Sequence, residues 1–111
     1  LSLTIPYIET GVTGIEDLNM LSLPHNSYPN PFSDNTRISY VLPEAGKVSV
    51  VVYNYFGQQV KTLVAENQVA GQHQIELNRH DLRDAGQYFY RITLEGQMKT
   101  WQVRGTVVFV K

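Results

Sequence analysis

The sequence predicts an all-β protein, an antiparallel β-sandwich of about seven short strands. Three observations lead there. From Thr36 onward, apolar and polar residues alternate with a period of two. Turn residues (Pro43-Glu44-Ala45-Gly46, Phe56-Gly57-Gln58, then Gly71, Gly86, Gly96 and Gly105) punctuate the chain at intervals of roughly 8–12 residues. No segment keeps a helical period beyond a short turn around Asp81-Leu82-Arg83.

Residues 1–27 stand apart. Leu1, Leu3 and Ile5 alternate briefly, and then Gly11, Gly14, Pro24 and scattered Ser, Thr and Asn break any period. This part reads as a linker, or as the last strand of an upstream domain followed by a linker, with the folded domain at residues 28–111. The chain begins on Leu1 without the charged and apolar regions of a signal peptide, and reads as a piece from the end of a longer protein. In the domain, Ile38, Tyr40 and Leu42 alternate with Arg37, Ser39 and Val41. Pro43 presets φ for a turn and Gly46 frees it. Val48, Val50 and Val52 alternate with Ser49, Val51 and Tyr53, and Phe56-Gly57-Gln58 turns the chain again. Further strands fit residues 59–64, 73–77, 87–94, 98–103 and 106–110. The expected interior is Ile38, Tyr40, Val48, Val50, Val52, Leu63, Ile75, Leu77, Tyr88, Tyr90, Ile92 and Val103.

One local pattern sharpens the fold. Asp84-Ala85-Gly86-Gln87-Tyr88 has the D-x-G-x-Y spacing of a tyrosine corner, in which the phenol bonds back to upstream backbone. The Tyr88 hydroxyl is therefore expected on a carbonyl between Leu77 and Asp84. Tyr90 then fills the position where antibody domains carry a cysteine.

Composition narrows the function. Nine Lys+Arg against ten Asp+Glu, with no basic block, argue against nucleic acid as a partner. Cysteine is absent, which removes disulfides and thiolate nucleophiles. The apolar runs Val50-Val51-Val52 and Val107 to Val110 fall far short of a membrane span. His25, His73 and His80 lack metal-pair spacing, and no G-x-S-x-G elbow, phosphate loop or EF-hand spacing is present. No catalytic, cofactor-binding or metal site is expected. Aromatics are the other resource. Tyr28, Tyr40, Tyr53, Tyr55, Tyr88, Tyr90, Phe89 and Trp101 are the rings that could stack on sugars. Most read as core, while Tyr53, Phe89 and Trp101, on faces opposite the valines, include candidates for exposure. This leaves open a carbohydrate-binding or adhesive sandwich.

The stretch Tyr28-Pro29-Asn30-Pro31-Phe32 raises its own question, because two prolines and two aromatics immediately precede alternating strands. Prolines hold the chain extended and cannot donate ladder bonds, so the stretch reads as a stiff boundary, with Phe32 and Tyr28 anchoring it. The final residues, Val107, Val108, Phe109, Val110 and Lys111, form an apolar edge strand that only Lys111 blunts. Such a strand serves either core packing or recognition.

In order, Tyr28 to Phe32, Leu42-Pro43-Glu44-Ala45-Gly46-Lys47-Val48, Val52-Tyr53-Asn54 with Gly57-Gln58, Gly71, Leu82, Gly86-Gln87-Tyr88-Phe89-Tyr90-Arg91 and the closing Val110-Lys111 resemble a known family. It is the C-terminal sorting domain of the type IX (Por) secretion system, in the type A form found in Bacteroidetes. Ser22-Leu23-Pro24 belongs to the same resemblance, which covers about residues 22–111. The resemblance implies an immunoglobulin-like sandwich acting as an address. An upstream cargo in the same chain crosses the outer membrane through the translocon, a sortase removes the domain, and the cargo is released or attached at the cell surface. It also implies that the signal is carried by Tyr28 to Phe32, Gly86, Tyr88, Arg91 and Val107 to Lys111. The chain departs from the family after Gly96, where Trp101 to Gly105 is additional, so that either the last hairpin is longer or the final strand is shifted. The immunoglobulin-like module of the flagellar hook-capping protein shares the L-P-E-A-G and V-Y-N-x-x-G region without the Y-P-N-P-F opening.

Overall fold

The computed structural model describes residues 22–111, so the alternation of Leu1, Leu3 and Ile5 lies outside the described residues. Seven strands form two antiparallel sheets. One contains β1 (His25–Tyr28), β2 (Asn35–Leu42) and β5 (Gly71–Asn78) in the order β1-β2-β5. The other contains β3 (Gly46–Tyr53), β4 (Gln59–Gln68), β6 (Gly86–Glu95) and β7 (Thr100–Phe109) in the order β4-β3-β6-β7. The expected all-β architecture is present.

The period-two pattern sets which faces meet. Val48, Val50 and Val52 on β3 are fully buried, as are Ile92 and Leu94 on β6 and Ile38 on β2. Tyr40, Tyr88 and Tyr90 join them in the same core. Antiparallel pairing puts directly opposed residues on one face, so Val50, Ile92 and Val103 form a continuous apolar rung across three strands. Burying each such side chain contributes about 1.5–3 kcal/mol against the entropy of ordering the chain.

Two residues expected inside are only partly buried. Register shifts interrupt the β3–β4 ladder, with Val50 opposite Val64 but Val51 opposite Thr62. Leu63 is the extra residue of that bulge, and Val64 takes the buried position instead. Ile75 shares a face with the buried Ile38, but among the described residues β5 is an edge strand with no neighbour on its far side.

Three boundaries also differ from expectation. The sheet reaches back into the segment read as linker: β1 begins at His25, and Leu23 is buried. The helical turn is a 3-10 turn over Arg79–Asp81, slightly earlier than expected, with the Asp81 carboxylate accepting from the Asn78 N–H at 3.1 Å. The two terminal strands are one. Gly105 does not break β7, because it sits opposite Tyr90 with its hydrogen against the phenol ring, where a Cβ would collide with that ring. Tyr90 thus covers the gap left by the missing side chain, as cross-strand aromatics do over strand glycines. The register runs unbroken from Glu95–Thr100 to Gly86–Phe109, so the additional Trp101 to Gly105 lengthens the last hairpin. Trp101, one of three rings whose exposure the sequence leaves open, is buried opposite Leu94.

Candidate functional site

The Tyr28-Pro29-Asn30-Pro31-Phe32 segment crosses from one sheet to the edge of the other. β1 pairs with β2 as far as Tyr28–Arg37, and Pro29, lacking an N–H, ends that ladder. Both X-Pro bonds, Tyr28–Pro29 and Asn30–Pro31, are cis. Asn30 then reaches β7. Its Nδ2 donates to the Thr106 carbonyl at 2.8 Å, and its Oδ1 accepts from the Val108 N–H at 2.9 Å. A side-chain amide offers the same donor and acceptor as a peptide group, so Asn30 stands in for one peptide of a neighbouring strand. Phe32 continues the pairing with its main chain, donating to the Val108 carbonyl at 2.9 Å and accepting from the Val110 N–H at 2.8 Å. Its ring is 2% exposed and stacks on Phe109 with centroids 5.4 Å apart.

The apolar edge from Thr106 to Val110 is covered by Asn30 and Phe32 rather than blunted by Lys111 alone. Phe32 anchors the entry chain, whereas the Tyr28 side chain is 79% exposed and anchors nothing. Val107 and Phe109 face the core, which accounts for their apolar character by packing. Val110 and Lys111 are exposed, and Val108 faces outward.

Gly86 and Tyr88 open β6. The Tyr88 hydroxyl donates to the Asp84 carbonyl at 2.6 Å, the bond that the D-x-G-x-Y spacing predicts. Tyr88→Phe is expected to lower stability by about 0.5–1.5 kcal/mol, read as a drop in the urea midpoint at unchanged slope.

His25 holds β1 against the opposite sheet. Its Nδ1 lies 2.6 Å from the Tyr90 hydroxyl, and burial lowers its pKa below the ordinary 6.5. The folded state therefore binds fewer protons than the unfolded chain between the lowered value and 6.5. The associated stability is complete above pH 6.5 and is lost as pH falls below it. Urea midpoints at pH 7.5 and 5.5 should decline toward acid, and His25→Gln should shrink that decline.

Arg91 lies on the outer face of the four-stranded sheet. Its guanidinium donates to the Tyr53 hydroxyl and sits 5.2 Å from that ring's centroid. Directly across from it on β7 is Arg104. With Tyr53, Gly57 and Phe89 they line an open cavity of about 270 Å³. The turn after β3 flanks it and is tightly built: Asn54 Oδ1 accepts from the N–H groups of Phe56 and Gln58, at 2.9 and 3.0 Å, and Asn54 N bonds the Gln58 carbonyl. Gly57 takes a positive φ of 83° in this turn. Tyr55 and Phe56 project from it, 69% and 84% exposed. In the sequence Asn54 stands only as part of the Val52-Tyr53-Asn54 motif, without its turn-bracing role, and Arg104 is not distinguished at all. Asparagine two residues before a Phe-Gly pair is an Asx-turn signal that identifies the first; the second is visible only once the β6–β7 register is known.

The remaining sequence candidates fall elsewhere. His73 Nε2 bonds the Val69 carbonyl at 2.7 Å, and His80 sits in the 3-10 turn. Among the described residues no group of three or more His, Cys, Asp or Glu converges as metal ligands would.

Compared with known proteins, the chain matches one family model, described as secretion system C-terminal sorting domain, over residues 26–104. No curated protein matches the chain, and no solved structure does. The match takes in Tyr28 to Phe32, Gly86, Tyr88 and Arg91, and stops within β7.

Proposed function

Because the chain belongs to the family of C-terminal sorting domains of the type IX secretion system, we propose that it carries an upstream cargo in the same chain across the outer membrane. The family match over residues 26–104 is the observation that carries this reading. A sorting domain is not itself a catalyst, so any enzymatic activity of the parent protein belongs to the cargo. The domain is the unit from about residue 28, extended backward by β1, and the residues before it serve as linker or as the tail of an upstream cargo domain. The translocon reads the folded domain, a sortase then removes it, and the cargo ends outside the cell, released or attached to the surface.

Within the signal, the residues divide by accessibility. Asn30, Phe32, Tyr88, Val107 and Phe109 build the fold, while Tyr28, Pro29, Pro31, Arg91, Val108, Val110 and Lys111 remain available to a receptor. A sugar-binding role is less well supported: the exposed Tyr55 and Phe56 rings stand at 79° to one another and offer no shared flat surface for a pyranose. The test is a reporter protein with an export leader, fused ahead of the full 111-residue chain and expressed in a bacterium with the type IX system. The reporter should appear outside the cell only with the chain attached and only in cells with an intact translocon. Retention in the periplasm in those cells would refute the reading.

A further inference from the structure

The outer face of the four-stranded sheet carries an arginine pair, Arg91 and Arg104, with no carboxylate beside it among the described residues. By register, its outward positions are Lys47, Ser49, Val51 and Tyr53 on β3, Gln87, Phe89, Arg91, Thr93 and Glu95 on β6, and Thr100, Gln102, Arg104, Thr106 and Val108 on β7, while the β4 residues opposite those β3 positions, Asn67, Ala65, Thr62 and Gln59, are uncharged. The one carboxylate in that set, Glu95, is opposite Lys47. It lies four residues along β6 from Arg91, about 13 Å at the rise of a strand. Among the described residues neither Arg91 nor Arg104 has a carboxylate within salt-bridge distance.

Two arginines directly opposed on adjacent strands repel each other. The outward N–H of Val108 shows that even-numbered β7 residues point their backbone away from β6. Arg91–Arg104 is therefore a non-hydrogen-bonded pair, the kind with the closest side chains. Arg91 is held by Tyr53, while Arg104 is exposed. Beside this pair, the Asn54-braced turn presents Tyr55 and Phe56 to solvent in a fixed backbone. Pre-ordered aromatics next to arginine are the composition of interface hot spots, because little freedom is lost when a partner covers them.

We propose that Arg91, Arg104, Tyr55 and Phe56 form a docking surface for a protein partner that presents carboxylates beside an apolar recess. The two guanidiniums take the carboxylates, in the fork geometry arginine favours, and Phe56 with Tyr55 fills the recess. A protein fits better than an anionic glycan because the two exposed rings are perpendicular and give a sugar no platform. The inference rests on the sorting-signal reading and names the chemistry of its receptor.

The experiment uses the full chain fused behind a reporter. Binding is measured to outer-membrane vesicles prepared from the exporting bacterium, from low to high salt. Three variants are compared: Arg104→Glu, Tyr55→Ser with Phe56→Ser, and Thr93→Ala on the same face as control. Urea midpoints confirm that each is folded. Arg104→Glu should weaken binding roughly tenfold or more and flatten its salt dependence. The aromatic pair should weaken binding roughly tenfold at every salt concentration, and Thr93→Ala should change nothing. Polyglutamate should compete with the unaltered chain, and protease treatment of the vesicles should abolish binding. Export of the reporter should fall in step. Three results overturn the proposal: folded Arg104→Glu and aromatic variants that bind and export normally, binding that survives protease and is displaced by lipopolysaccharide instead, or a salt dependence unchanged by Arg104→Glu. Failure of the unaltered fusion to leave the cell sinks the sorting reading itself, whereas normal export of the variants sinks only this surface.

Discussion

Phe32→Ala is expected to destabilise the domain by about 3–5 kcal/mol, the cost of truncating a buried phenylalanine. A domain of this size has only about 5–15 kcal/mol in total, so a large share of its stability rests on this residue. The ring is buried against Phe109, and its own backbone pairs with Val108 and Val110. Removing the ring both opens a cavity and loosens the segment that covers the β7 edge. Phe32→Leu keeps most of the volume and all of the backbone pairing, and should cost markedly less. Urea unfolding of the two variants checks this, and similar midpoints for both would show that the ring carries little. The export fusion should report the same order, with the alanine variant retained in the cell and the leucine variant exported.

Ile92→Ala is expected to cost about 2–4 kcal/mol. Ile92 is fully buried in the middle strand of the rung Val50–Ile92–Val103, where neighbours on both sides restrict collapse of the cavity. Its neighbour Thr93 points the other way, and Thr93→Ala should stay within about 0.5 kcal/mol. Paired urea midpoints test the strand phase directly. A larger loss at Thr93 than at Ile92 would mean that β6 is out of phase by one residue.

The sequence makes the middle of the sandwich legible and its margins much less so. β2, β3 and β6 each have one face in the core, and alternation reports that directly. At the margins a second influence competes. His25–Tyr28 contains no apolar alternation, and β1 is held through its ladder to β2 and the His25–Tyr90 contact. The bulge at Leu63 moves burial to Val64, an offset no period can show. Gly105 looks like a strand break until Tyr90 is seen above it. The covering of the β7 edge was the least visible feature, because Asn30 acts there as a substitute peptide group for a strand far away in sequence. The proline pattern singles out the segment, but does not say what it lies against.

That long reach has a consequence for the order of assembly. Asn30 and Phe32 enter near the beginning of the described domain, and their partners lie on β7, the last of the described strands in chain order. Contacts of such wide sequence separation form late, since a long loop must close before they return any energy. Until β7 arrives, Phe32 has no aromatic to stack on and β6 has an open side. A ribosome that stalls before Thr100, or a protease that clips the hairpin after Glu95, leaves an address that cannot close. The fold thus ties the signal to β7: a domain without that strand displays no finished signal to be read.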